Sequence, residues 1–246
     1  MQNKRLDFLQ QEAGCLIWLA PRSLGGLTPL EFGNVWMGEG SETVRDLVLR
    51  GAFLPMSLYQ DDGYLVRFIL GDLNEQEESE WVARVRHKLN VPCGEVIVSV
   101  VLDDDFEYWF SEFVLTGNNG SYEMGSYVEI PSGEYLLEVY SYPPGDLSTG
   151  WGQIEKGGLF KSSAGITREN PLDYFHRTRP NEEPPKWIKD EYDNETYYVN
   201  FIIRFAPLNE DLPIPKFEED ICVEWEFRKP DICPIGIKSN YKQENE

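Results

Sequence analysis

Histidine is nearly absent from the 246 residues: only His87 and His176 occur. The four cysteines stand at 15, 93, 222 and 233, with no Cys-x-x-Cys pair among them. This set excludes a zinc site of ordinary ligand spacing, and the sequence leads us to expect neither metal nor cofactor. No apolar run approaches the roughly 18 residues of a membrane span, so no membrane partner is expected. The run Cys15–Ala20 follows Lys4 and Arg5, but Asp7 and Glu12 interrupt the approach to it. It is too short for a signal-peptide core and reads as a strand. A cytoplasmic location with free thiols follows as the expectation, and the sequons at Asn119 and Asn194 then carry no weight. Gly-x-Ser-x-Gly, a phosphate-binding glycine loop and Gly-x-Gly-x-x-Gly are all missing. No histidine is placed near Cys93, so a nucleophilic role for it has no support.

Positive charge is also short. Lysine and arginine total 22 against 43 acids, a net charge of −21. Nucleic acid and anionic lipid surfaces both require clustered cations, so neither is expected as a partner. The deficit is concentrated. Between Leu89 and Glu155 there is no lysine, arginine or histidine, while twelve acids occur up to and including Glu155.

What is present describes a folded chain: 41% hydrophobic and 26% charged residues, enough to build a sizeable core without staples. The pattern is α+β and mainly β, with antiparallel meander and sandwich-like sheets around one amphipathic helix. That helix is expected over about 75–89. Asn74 and Glu77 make its capping box, acids fill its start, Arg84, Arg86, His87 and Lys88 fill its end, and Trp81, Val82, Val85 and Leu89 share one face. A shorter helix is expected over Ser41–Arg50. Phe53–Tyr59 and Tyr64–Leu70 read as a hairpin around Asp62-Gly63. One compact domain, 1–246, is expected. Within it, 143–196 is a long irregular connector and 197–246 adds C-terminal strands, with a loose tail after Lys238. Tyr64–Leu70 and Tyr197–Ile203 also echo one another, a similarity best read as chance between two strands.

The meander is expected from Val96 to Tyr142. Turns at Asn119-Gly120 and Ser132-Gly133 pair Leu115 with Met124, Ile130 with Tyr135 and Val128 with Leu137. One face then gathers Trp109, Phe113, Leu115, Met124, Val128, Ile130, Tyr135, Leu137 and Val139 as core. The other interleaves aromatics with carboxylates, and its candidate partner-binding residues are Tyr108, Glu112, Glu123, Tyr127, Glu129, Glu138 and Tyr140. Tyrosine supplies contact area at small entropic cost, and glutamate steers a basic partner. A solvated face that keeps the protein soluble, or a face packed under the 75–89 helix, would use the same residues.

The leading functional expectation is a non-enzymatic soluble binding or regulatory protein, inhibitor- or immunity-like, using this face on a basic protein. A ligand- or carbohydrate-binding β-sandwich, with tyrosines and Trp151 as stacking platforms, is the alternative. Less favoured is a carboxylate-dependent glycoside hydrolase on the row Glu112, Tyr127, Glu138, whose carboxylates would stand about 9–10 Å apart. Asp103-Asp104-Asp105 reads as a polar turn in preference to a calcium site. The basic run around His176, with Arg168, Arg177 and Arg179, reads as a pin that pairs with the acidic meander. The sequence leaves the oligomeric state open.

Overall fold

The computed structural model describes residues 4–13, 16–37, 41–58, 62–99, 121–122, 125–144, 169–191, 197–218 and 221–241. The fold is mainly β with a few helices. A seven-stranded sheet has the order β13-β5-β9-β10-β4-β1-β7. Its strands are β1 (Lys4–Ala13), β4 (Asp62–Leu70), β5 (Ala83–Val91), β7 (Ser121–Tyr122), β9 (Gly133–Ser141), β10 (Phe201–Pro207) and β13 (Glu226–Phe227). A four-stranded sheet has the order β3-β2-β6-β8, from β2 (Leu16–Pro21), β3 (Leu54–Ser57), β6 (Glu95–Ser99) and β8 (Gly125–Glu129). The short pair β11 (Phe217–Glu218) and β12 (Cys222–Val223) stands apart.

The helix expected over 75–89 is six residues long. Its start is as read: Asn74 accepts the Glu77 N–H, and the Glu77 carboxylate accepts the Asn74 N–H at 2.8 Å. This α3, Glu75–Glu80, stops at Trp81, and Ala83–Val91 is a strand. The physical reason is a competing period of two. Ala83, Val85, His87, Leu89 and Val91 are buried, while the residues between them are half-buried or exposed. A long sheet can use that alternation on both faces. His87 is accordingly no helix-terminal charge: it is buried in β5, bonded through Nε2 to the Val48 carbonyl.

The two expected hairpins in the described residues do not form. β3 pairs with β2, and β4 pairs with β1. β8 pairs with β6, whereas β9 lies between β5 and β10. In both cases a chain reversal carries the chain from one sheet to the other. The core assignment nevertheless holds where it is described. Val128 and Ile130 from one side meet Tyr135, Leu137 and Val139 from the other, because the inner faces of the two sheets share one core. The meander residues 100–120 lie outside the described residues.

Trp18, Leu54, Met56, Val96 and Val98 face Phe8, Phe68, Val85, Phe201, Ile203 and Phe205 across that core. Helices α1 (Pro29–Met37) and α2 (Ser41–Leu49) add Phe32, Val44, Leu47 and Val48 to it. The Phe32 ring lies 5.3 Å from Trp18 and 4.9 Å from Phe53. The outer face of the large sheet is covered as well. Ile69, Trp81, Tyr140, Tyr142, Val199, Ile202 and Ile237 form a second cluster there. This explains the mostly apolar runs of β4 and β10, each interrupted by one arginine and covered on both sides. The two echoing segments are neighbours: β10 runs parallel to β4, with Phe201 opposite Val66.

Within the expected connector, α4 (Pro171–Thr178) begins at Asn170, whose side chain accepts the N–H of Leu172 and Asp173. It packs Tyr174 and Phe175 against Val82, Ile188 and Cys233. The tail is held rather than loose as far as Tyr241. The Asn240 N–H donates to Asp7 at 2.7 Å, and Tyr241 is buried.

Candidate functional site

The structure does not gather the described part of the acidic, tyrosine-rich set onto one surface. Tyr108, Glu112 and Glu123 lie outside the described residues. Tyr127 and Glu129 stand on β8 of the small sheet, Glu138 and Tyr140 on β9 of the large one. The cross-strand row Glu112, Tyr127, Glu138 is therefore broken at its second step.

Tyr127 is half-buried, with the Arg22 guanidinium 4.9 Å from its ring centroid. Glu129 is exposed, and its carbonyl accepts from Lys4 Nζ at 3.1 Å. Glu138 is only 2% exposed. One of its oxygens accepts from Arg86 Nε at 2.8 Å, the other from Arg204 Nη1 at 2.5 Å. Both partners sit directly across the strand register, from β5 and β10. Both Glu138 oxygens are engaged by guanidinium groups, and the row that would pair it with Glu112 is broken. Tyr140 is buried under Trp81, their rings 5.8 Å apart, and the Tyr142 hydroxyl donates to the Glu77 carbonyl. The short α3 and Trp81 thus cover this end of the face.

The outer face carries a second ionic group that sequence reasoning missed. Arg67, 6% exposed in the middle of β4, forms a two-point bond with Asp7 at 2.7 and 2.8 Å. Its third nitrogen reaches Glu77 at 2.9 Å. Arg5 approaches Glu77 from outside at 2.7 Å. Burial pushes the Asp7 carboxyl upward, but Arg67, the Asn240 N–H and the Ser239 hydroxyl outweigh it and hold it below its ordinary range. For Glu77 burial is likewise outweighed, by Arg5, the Asn74 N–H and Arg67. The available signal was a lone arginine in an otherwise apolar strand, Tyr64-Leu-Val-Arg-Phe-Ile-Leu. A charge in a strand covered on both faces demands buried partners.

Glu80 behaves in the opposite way. Burial dominates and raises its carboxyl above the ordinary value, despite Gln76, two backbone N–H groups and Arg179. The two N–H groups belong to Gly236 and Ile235, at 2.9 and 3.0 Å. The basic run around His176 pairs with acids, as expected, though not with the meander in the described residues. Arg177 bonds Glu169, and Arg179 bonds Glu182 and the Cys233 carbonyl. Arg177 and Lys229 together hold Glu169 down to about 2.

These directions set an expected acid response. His87 is kept neutral by burial, which lowers its pKa. Its contribution to stability is complete above the unfolded value of 6.5 and is lost as pH falls below it. Asp7 and Glu77 contribute fully above their unfolded values of 3.8 and 4.5, and that part is lost on further acidification. Glu80 runs the other way, its contribution being lost as pH rises through its raised folded value. Urea midpoints measured from pH 7 to pH 3 should therefore fall in two stages, and His87→Gln should remove the first. A midpoint that does not move between pH 7 and pH 5 in the parent chain would contradict this.

Among the described residues no group of three or more histidine, cysteine, aspartate and glutamate side chains is arranged to hold a metal ion. No described helix is long and apolar enough to cross a membrane. Cys93 is exposed, and Cys222 and Cys233 are buried free thiols. Burial pushes the Cys233 thiol up to about 12, which suits packing rather than nucleophilic chemistry.

No protein-family model and no curated protein matches the chain. Two solved structures resemble it in part. One is described as crocagin biosynthetic gene J, at 11% identity and a TM-score of 0.45, covering 85% of this chain and 100% of that one. The other is ComJ, inhibitor of the DNA degrading activity of NucA, from Bacillus subtilis, at 10% identity and a TM-score of 0.31. It covers 58% of this chain and 83% of its own. Neither likeness carries an argument about this chain.

Proposed function

We propose that this is a non-enzymatic binding protein whose anionic surface engages a basic protein. The observation that carries the reading is where the positive charge goes. Arg5, Arg22, Arg50, Arg67, Arg84, Arg86, Arg177, Arg179 and Arg204 all pair with acids of the same chain. The chain has nearly twice as many acids as bases, so internal pairing leaves a large anionic excess. Such a field repels nucleic acid and accelerates encounter with cationic proteins. Six of the acids, Asp103 through Glu123, come from the stretch that has no cation of its own.

The test is affinity capture from host lysate at low and high salt, using the parent chain and the triple variant Glu112→Lys, Glu123→Lys, Glu129→Lys. Glu138 is left intact because reversing it would put three cations together in a buried site. A basic protein retained at low salt should be lost at high salt and lost from the triple variant. Equal retention by the triple variant would count against the reading, and retention of no basic protein by the parent chain would end it.

A further inference from the structure

Resting on that reading of a basic partner, we infer that Ile214 is the apolar anchor through which the partner is held, presented on the rigid strap Leu208–Lys216. Ile214 is 80% exposed, the most exposed of the large apolar side chains described. A single exposed isoleucine is ordinary on a protein surface. Three features set this one apart.

The first is its backbone. Pro213 and Pro215 flank it, fixing their own φ angles and removing two N–H groups, so the segment is extended before any partner arrives. Little ordering entropy remains to be lost on binding, which is the condition for a good anchor. Among the described residues the strap makes no backbone hydrogen bond to the neighbouring β5. It is held at its ends instead, by Arg86 to Glu210 at 2.5 Å and by the Glu224 N–H to the Lys216 carbonyl at 2.9 Å.

The second is its setting. The strap separates two open grooves of about 430 and 340 Å³, and Ile214 lines both. The smaller groove also holds Leu49, 43% exposed, so the strap and the end of α2 offer one apolar centre. The third is charge. The smaller groove is lined by three acids, Glu134, Glu210 and Asp211. Glu134 and Asp211 stand on the rim of the smaller groove, with Lys88 the one lysine or arginine lining it. The larger groove is lined by Arg84, Arg86 and Lys216 against Glu224 and Glu226, so the acidic excess lies on the side of the smaller groove. An apolar centre with acids along that side complements an apolar pocket flanked by lysine and arginine.

The probe is the full chain carrying p-benzoylphenylalanine in place of Ile214, with the same group at Ile232, 55% exposed, as the control position. Light should join position 214, and not 232, to the basic protein that the parent chain retains at low salt. In parallel, Ile214→Asp should weaken retention roughly ten- to hundred-fold, the worth of burying one isoleucine. Its thermal midpoint should match the parent, because the side chain packs against little. Equal cross-linking from 232, or full retention of Ile214→Asp, would overturn the anchor. If that occurs while the triple lysine variant loses the partner, the anionic reading survives without the anchor. If the parent chain retains no basic protein, both fall.

Discussion

Replacing Arg67 by methionine is expected to destabilise the protein by about 3–5 kcal/mol, the usual effect of removing one partner from a buried ion pair. Asp7 and Glu77 would remain, 4% and 0% exposed at their side chains, with the central cation gone. Arg5 supports Glu77 from the solvent side, while Asp7 would keep the Ser239 hydroxyl and the Asn240 N–H but lose its two-point guanidinium bond. The Lys238 carbonyl would also lose the guanidinium that donates to it at 2.9 Å. Urea unfolding at pH 7 measures the loss. Combining Arg67→Met with Asp7→Asn and Glu77→Gln should recover most of it, since the main cost is uncompensated charge and not lost packing. A single-variant loss below about 1 kcal/mol would mean that the carboxylates are satisfied without Arg67.

Glu80→Ala should cost about 2–4 kcal/mol, because a buried and a half-buried N–H donor lose their acceptor at once. Those donors, at Ile235 and Gly236, belong to a segment that crosses the outer face with little regular structure of its own. Gly236 cannot shift easily to compensate. Its φ is +92°, and a Cβ there would meet the Tyr198 ring at 2.6 Å. Hydrogen exchange should show the amides of 235 and 236 losing protection in Glu80→Ala. Glu80→Gln, which keeps one acceptor oxygen and removes a charge that burial disfavours, should retain most of the protection. Equal protection in both variants and the parent would show that the carboxylate does not hold this segment.

Both predictions concern residues whose roles the sequence states incompletely. Local signals were readable: the Asn74 and Glu77 cap, the β-character of the chain and the core face around Val128 and Leu137. The end of α3 was not, because Trp81, Val82, Val85 and Leu89 satisfy a helical stripe while Ala83 to Val91 satisfy an alternating one. Only the place of β5 beside β9 decides between them, and that is a non-local fact. The acidic face failed for a related reason. Its local stretch contains no cation, but Glu138 is matched by Arg86 and Arg204, 52 and 66 residues away in the chain. Hairpin signals predict that the chain turns back. They do not say whether the returning strand joins the same sheet or the one packed against it.

The position of β10 has a consequence for biosynthesis. Residues 201–207 form a central strand of the large sheet, between β9 and β4, yet they are translated after every other strand of that sheet except β13. On the ribosome, β4 and β9 can therefore be complete while the slot between them is empty, leaving two bare edges rich in aliphatic and aromatic side chains. Such edges recruit other chains as readily as the missing strand. The nascent protein thus passes through a period in which the segment that protects the rest, its last 46 residues, has yet to be made. Fragments ending before Phe201 are the ones to expect in inclusion bodies.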